Sequence, residues 1–302
     1  MASIQDAPVL CFGEILWDLL PEGLFAGGAP FNVAYHLHQL GCPVRVVSAV
    51  GDDFLGSELI RRLDGWGIGT GLIARHPGVS TGYVRASINE RGDAHYEIAR
   101  DVAWDRIENT PALAEAARQG AAVVFGSLAQ RSPSNRATLA RMLEASPPGA
   151  IRAFDVNLRP PHDDLDLVRT LARGVTILKV NDTEAARLAG DGTASAGREE
   201  THARTLARES EARWVCITAG ARGAGLLHEG TWYWEDGRPV EVTDTVGAGD
   251  SFLASLVADL LATGCRIAPA EALRRACRLG EWVATQRGAT PVHGPSRPSR
   301  KI

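Results

Sequence analysis

Hydrophobic positions concentrate in short strand-like runs separated by stretches with helical spacing. The runs are Val9–Phe12, Val44–Val50, Ala121–Phe125, Ile151–Phe154, Val175–Val180 and Trp214–Thr218. Between them lie helical patterns at Asn32–Leu40, Leu55–Trp66, Pro133–Leu143, Leu165–Ala172, Thr183–Leu188 and Glu199–Arg208, and a last apolar helix ends at Thr263. A strand that is apolar on both faces needs cover on both faces, so the pattern predicts an α/β fold with a mostly parallel sheet between helical layers. Gly41, Gly67 and Gly264 follow helical stretches where left-handed C-caps belong.

One stretch departs from this alternation. Thr81–Asn89 and Ala94–Arg100 alternate apolar and polar residues around the turn Glu90-Arg91-Gly92-Asp93, which predicts a β-hairpin outside the main sheet. Residues Leu16–Leu24 can add a strand to it. The expectation is one domain over residues 1–302, with lid strands within about 16–25 and 79–100 beside a cleft. The tail Gly294–Ile302 is rich in Pro and Arg and is expected to fray.

Composition narrows the function. The chain has 302 residues, 45% apolar and 23% charged, with net charge −4, so no basic surface points to nucleic acid or an anionic membrane. The longest apolar stretch, Phe252–Ala262, contains Ser255 and Asp259 and is too short to span a bilayer. No basic-then-apolar leader opens the sequence, and five cysteines without C-x-x-C spacing read as buried thiols. Both features set the expectation of a cytoplasmic protein. Glycine is abundant, 32 of 302 residues, against a typical ~7%. Lysine is nearly absent: Lys179 and Lys301 are the only two, and neither sits in a Walker-A loop, which rules out that kinase architecture.

In open α/β sheets ligands bind beyond the carboxyl ends of the strands. The polar residues there are Gly13-Glu14 with Asp18, Asp155-x-Asn157-x-Arg159, Asn181-x-x-Glu184, and Thr218-x-Gly220-x-x-Gly223. Each has a plain structural alternative. Asn181 and Glu184 make a helix N-cap pair. Asp155 and Arg159 can form a surface ion pair in a turn, and Gly220 and Gly223 can be a hairpin turn. Asp52-Asp53 reads as a cap of the following helix. The decisive segment is Asp244-Thr245-Val246-Gly247-Ala248-Gly249-Asp250-Ser251-Phe252. Its G-x-G opens a helix, but Phe252 replaces the third glycine of a dinucleotide fingerprint. Gly247, Ala248 and Gly249 can instead present backbone N–H groups at a helix N-terminus, where an anion binds without lysine. A carboxylate such as Asp250 beside a phosphate site is costly unless it takes a proton from the attacking hydroxyl.

D-T-V-G-A-G-D-S-F (Asp244–Phe252) resembles the C-terminal signature of the ribokinase-like sugar kinases, the phosphofructokinase-B type. A-G-G-A-P-F-N-V-A-Y-H-L-H-Q-L-G (Ala26–Gly41) resembles their N-terminal signature, and D-V-N-L-R, K-V-N-D-T-E and I-T-A-G-A-R-G-A follow in the family's order over residues 8–292. The resemblance implies a three-layer α/β/α domain with a β lid, and ATP-dependent phosphorylation of a free sugar. It implies Asp250 as catalytic base, Gly247, Ala248 and Gly249 as an anion hole, and Asn181 and Glu184 as residues organising Mg2+ through water. It further implies Thr218, Gly220, Gly223, Gly249 and Asn181 around the nucleotide, and Asp18, Gly28, Asn32 and Arg159 on the sugar or phosphate. Asp244 and the Val246 carbonyl match part of a K+ site whose other ligands would come from Ala284–His293. G-E-I-L-W-D followed by G-G-A-P-F-N is most similar to fructokinases, with Ala29 departing from the ribose pattern. Trp17 and Phe31 suit a sugar pocket and core packing equally well. Lys179, two residues before Asn181, shares its facing by strand alternation, which leaves a place near phosphate open to it, but it is assigned no role.

Ribose, 2-keto-3-deoxygluconate and a non-catalytic sugar sensor are the alternatives. The sensor reading would be expected to lack Asp250. A serine hydrolase would need Gly78-Val79-Ser80-Thr81-Gly82 between a strand and a helix, and a strand-like run follows it instead. The expected partners are sugar and ATP. A homodimer through the lid is the hypothesis for assembly.

Overall fold

A computed structural model describes residues 7–20, 23–88, 94–294 and 297–298, with side chains of 86–96 excluded. The Glu90–Asp93 turn, the first six residues and most of the Pro- and Arg-rich tail lie outside the described residues. The strands are β1 (Val9–Phe12), β2 (Leu16–Leu20), β3 (Gly23–Gly27), β4 (Val44–Gly51), β5 (Ile73–His76), β6 (Gly82–Ile88), β7 (Ala94–Ile98), β8 (Ala122–Gly126), β9 (Ile151–Asp155), β10 (Ile177–Asn181), β11 (Trp214–Thr218), β12 (Gly223–His228) and β13 (Thr231–Asp236). The helices are α1 (Ala29–Gln39), α2 (Phe54–Trp66), α3 (Pro111–Gln119), α4 (Pro133–Ala145), α5 (Leu165–Ala172), α6 (Asp182–Ala189), α7 (Glu199–Ser210), α8 (Ala248–Thr263) and α9 (Pro269–Ala284).

Nine strands form one sheet in the order β13-β12-β11-β10-β9-β8-β1-β4-β5. It is parallel except at the β11-β12-β13 edge. Alternation along β1 shows why the runs are apolar on both faces. Val9 and Cys11 enter a core with α1, α2, α8 and α9, whereas Leu10 and Phe12 enter a second core with α3 through α7. The result is a three-layer α/β/α body. Trp17 and Phe31 both fall in the first core: Trp17 donates Nε1–H to the Leu55 carbonyl, and Phe31 lies 5.6 Å from the Trp66 ring. Their bulk is explained by packing. The sequence pattern did not mark α3, α9, β5 or β13, and residues 16–27 form two strands where one was expected.

The second sheet has the order β3-β2-β6-β7. Its root is tied to the body by Asp53. This residue caps α2 through Gly56 N–H (2.7 Å) and also accepts from the Thr81 N–H and hydroxyl (2.8 and 2.7 Å). Trp104, fully buried, sets the Nε1 edge of its indole against Gly82 at the start of β6, and the Arg131 guanidinium stacks 4.0 Å from the ring centre. A Cβ at Gly82 would collide with the indole. Gly82→Ala is therefore expected to cost about 1–3 kcal/mol by overpacking, read as a lower denaturant midpoint at unchanged m-value.

Candidate active site

The first turn of α8 is made by glycine. Gly247 has φ +82°, and a Cβ there would lie 2.6 Å from the Ala289 Cα, so both backbone angle and space require glycine. Gly280 lets α9 approach the same turn, where a Cβ would stand 3.0 Å from the Ala248 carbonyl. N–H groups of a first helical turn have no partner within the helix, which gives this end its positive potential. Of the three N–H groups expected to face an anion, that of Ala248 differs, because it closes a turn on the Thr245 carbonyl at 3.3 Å.

Asp250 sits in this first turn and accepts a 2.8 Å hydrogen bond from Asn32 Nδ2 on α1. The start of α1 is built from the loop after β1. Gly28, at φ +114°, leaves room for the Glu14 carbonyl, and Glu14 Oε1 accepts the Ala29 N–H at 3.1 Å. Glu14 is 3% exposed, and its Oε2 and the Asn32 Oδ1 are buried without a protein hydrogen-bond partner. Buried polar atoms of this kind call for a water or a polar ligand. Asp18 on β2 lies against Gly27, so Asp18, Gly28, Asn32 and Asp250 are gathered where the second sheet meets the body.

Burial pushes these carboxyls upward. Asp250 rises to about 6, chiefly through desolvation and the Asp155 charge, offset by Asn32, Lys179 and Arg159. Glu14 rises to about 7 and Asp18 to about 6 through desolvation, each eased by the Arg159 charge. Arg159 is exposed and bonds the Leu158 carbonyl, and Asn157 before it takes a left-handed φ of +43°. Its charge thus acts on three carboxyls at once. The alternative of a surface ion pair between Arg159 and Asp155 is not what the structure shows. Asp155 is buried and bound to Lys179, because strand register sets these two residues opposite each other.

Asn181 and Glu184 form a reciprocal capping box at the start of α6. The Asn181 Oδ1 accepts the Glu184 N–H (2.8 Å), and Glu184 Oε2 accepts the Asn181 N–H (2.9 Å). Glu184 Oε1 also accepts the Leu158 N–H at 2.7 Å, joining the β9 and β10 ends. Burial and then the Asp155 charge raise its pKa. Gly220 (φ +56°) and Gly223 (φ +116°) make the turn between β11 and β12, closed by Ala219 N–H on the Gly223 carbonyl at 2.8 Å. Thr218 ends β11 beside Asn181 in the strand register, and Arg222 ties the turn to Asp182 and Glu199. Asp244 lies apart from these groups. Its oxygens accept the Val246 and Gly288 N–H groups at 3.0 and 3.1 Å, and Ala284 accepts from both Thr243 and Asp244. These bonds join the segment before α8 to the segment after α9. His36 Nε2 pairs with the Ala289 carbonyl at 2.9 Å, tying the residue behind Gly247 to the helix that carries Asn32.

Glu14 and Lys179 belong to the site and were given no role from sequence. Glu14 carried the signal of polarity at a strand end, and Lys179 that of a lone lysine inside an apolar run. Gly247→Ala is expected to lose about 1–3 kcal/mol from strain and overpacking, seen as a lower unfolding temperature.

The comparisons agree with this architecture. A fructokinase of Escherichia coli is 27% identical over 300 residues, covering 94% of this chain and 95% of the relative. The crystal structure of a Xylella fastidiosa fructokinase with bound ATP superposes with a TM-score of 0.80 at 22% identity, covering 94% of each chain. A Vibrio cholerae fructokinase with fructose, ADP and calcium ion bound gives a TM-score of 0.77 at 22% identity, over 95% of this chain and 96% of that one. The profile of the pfkB family carbohydrate kinases matches residues 22–294, and the chain belongs to that family.

Proposed function

We propose that this sugar kinase transfers the γ-phosphoryl group of ATP to a hydroxyl of a free sugar, fructose first among candidates, with Asp250 as general base. The observation that carries the reading is the Asn32–Asp250 hydrogen bond, flanked by the unpartnered Asn32 Oδ1 and Glu14 Oε2. Sugar hydroxyls supply the donors those atoms need, and Asp18, Gly28 and Arg159 complete the surface they would meet. In the transfer step the acceptor O–H gives its proton to the Asp250 carboxylate as its oxygen bonds the γ-phosphorus. The bond from that phosphorus to the ADP oxygen breaks, leaving the electron pair on ADP. The N–H groups of Gly247 and Gly249 in the α8 first turn would face the charge on the transferred group, while that of Ala248 is turned to the Thr245 carbonyl. Thr218, beside Asn181 in the strand register, and the turn glycines Gly220 and Gly223 would form the nucleotide surface.

Asn181 and Glu184 fit a magnesium ion held through water. Both Glu184 oxygens already accept backbone N–H groups, so direct ligation would compete with those bonds, whereas outer-sphere contact suits magnesium's reluctance to dehydrate. Bound there, the ion would neutralise charge on the β- and γ-phosphates. Support for fructose comes from the 27% identity to a fructokinase over nearly the full length of both chains.

Asp250→Asn is expected to lower kcat about 10²–10⁴-fold while ATP still binds, measured by ADP release and by calorimetry. Turnover near wild type in this variant rejects the assignment. Because the base acts deprotonated, wild-type kcat/KM should fall as pH drops through about 6, the midpoint of Asp250. A flat profile between pH 5 and 8 contradicts it. A panel of fructose, ribose, glucose and 2-keto-3-deoxygluconate should show the highest kcat/KM for fructose, and turnover of none favours a sensor. Amide exchange in β6 and β7 should slow under saturating fructose, and unchanged exchange removes the lid role of the second sheet.

A further inference from the structure

The one described lysine is buried beneath the first turn of α8. Lys179 and Asp155 are direct neighbours in the parallel register of β10 and β9, on the face that packs against α1 and α8. Lys179 Nζ lies 2.8 Å from both Asp155 oxygens, and the two side chains are 8% and 4% exposed. On the helix side, a Cβ placed on Gly249 would stand 3.1 Å from Nζ, so the ammonium occupies the space a side chain there would need. Burial opposes the charge of Lys179, but Asp155 first, then Glu184 and Asp250, more than restore it. One cation thus stands among three carboxylates that belong to three different segments.

We propose that Lys179 is a positioning residue for phosphoryl transfer, forming with Asp155 a charge-neutral strut that holds Asp250 and the glycine turn of α8 in register with the sheet edge. The proposal rests on Asp250 being the base. The groups acting on Asp250 are Asn32 from α1, Glu14 from the loop after β1, Asp155 and Arg159 from the β9 end, and Lys179 from β10. Within that set the strut contributes one negative and one positive charge that oppose each other at Asp250, Asp155 the stronger of the two. Removing the lysine alone leaves a bare carboxylate, which disfavours ionised Asp250. Removing the Asp155 charge alone leaves a bare ammonium, which favours it. Removing both restores neutrality.

The test compares wild type, Lys179→Met, Asp155→Asn and the double variant in MgATP-dependent phosphorylation of fructose across pH 5 to 9. The acid limb of kcat/KM should move up by about one unit in Lys179→Met, down in Asp155→Asn, and return to within a few tenths of wild type in the double variant. Turnover of Lys179→Met above the limb should fall at least tenfold, with ATP affinity changed far less. Superimposed limbs in all four proteins, or a double variant as displaced as Lys179→Met, overturn the proposal. If Lys179→Met does not fold, the downward shift in Asp155→Asn and its reversal in the double variant decide the matter. Asp250→Asn, run in parallel, separates the two readings. Retained turnover there rejects the base itself, whereas its loss with unmoved limbs rejects only the strut.

Discussion

A parallel sheet brings the polar ends of its strands to one edge, and in this protein that edge gathers like charges. Asp155, Glu184 and Asp250 come from β9, α6 and α8 and meet around a single ammonium, that of Lys179. Unpairing a buried ion pair costs about 3–5 kcal/mol, so Lys179 and Asp155 stabilise the sheet beneath α8 only when both are present. The same constraint explains Gly249, whose missing side chain gives the ammonium its place.

The rest of the site is built outward from that point. Asp250 is reached by Asn32, and Asn32 is placed by a helix whose first N–H bonds are set by Glu14 and by the left-handed Gly28. Gly247 is enforced from behind by Ala289, which His36 ties to the same helix. Helix α1 therefore links both sides of the glycine turn. The second sheet closes the remaining side, with Asp18 against Gly27 and its root fixed by Asp53 and Trp104. An abundance of glycine with almost no lysine becomes intelligible in these terms. Glycine sets the backbone angles and close approaches, N–H groups at a helix end would face the phosphate in the proposed reaction, and the interior lysine balances carboxylates.

Much of the fold could be read from the chain because its strands are doubly covered. Stretches such as Val9–Phe12 and Trp214–Ile217 are apolar at every position, and each proved to belong to an inner strand of the large sheet. Helix caps were equally legible: Gly67 and Gly264 are left-handed caps, and Asp53 caps α2. Edge strands were not, because β5 and β13 are half-exposed and lack a continuous apolar run. At the site, Asn32 and Asp250 announced themselves through their motifs, but their hydrogen bond joins residues far apart in sequence. The partner of Asp155 was misread for a similar reason. Local spacing suggested Arg159, whereas strand register supplies Lys179, which no local pattern reveals.

The charge balance at Asp250 can be observed without turnover. Carbon-13 labelling of aspartate side-chain carboxyls, with Asp250→Asn to assign the resonance, gives the titration midpoint of this group in the folded protein. The account predicts a midpoint near 6 in the wild type, about two units above an ordinary aspartate, and higher still in Lys179→Met. A midpoint near 4 in both proteins would contradict it.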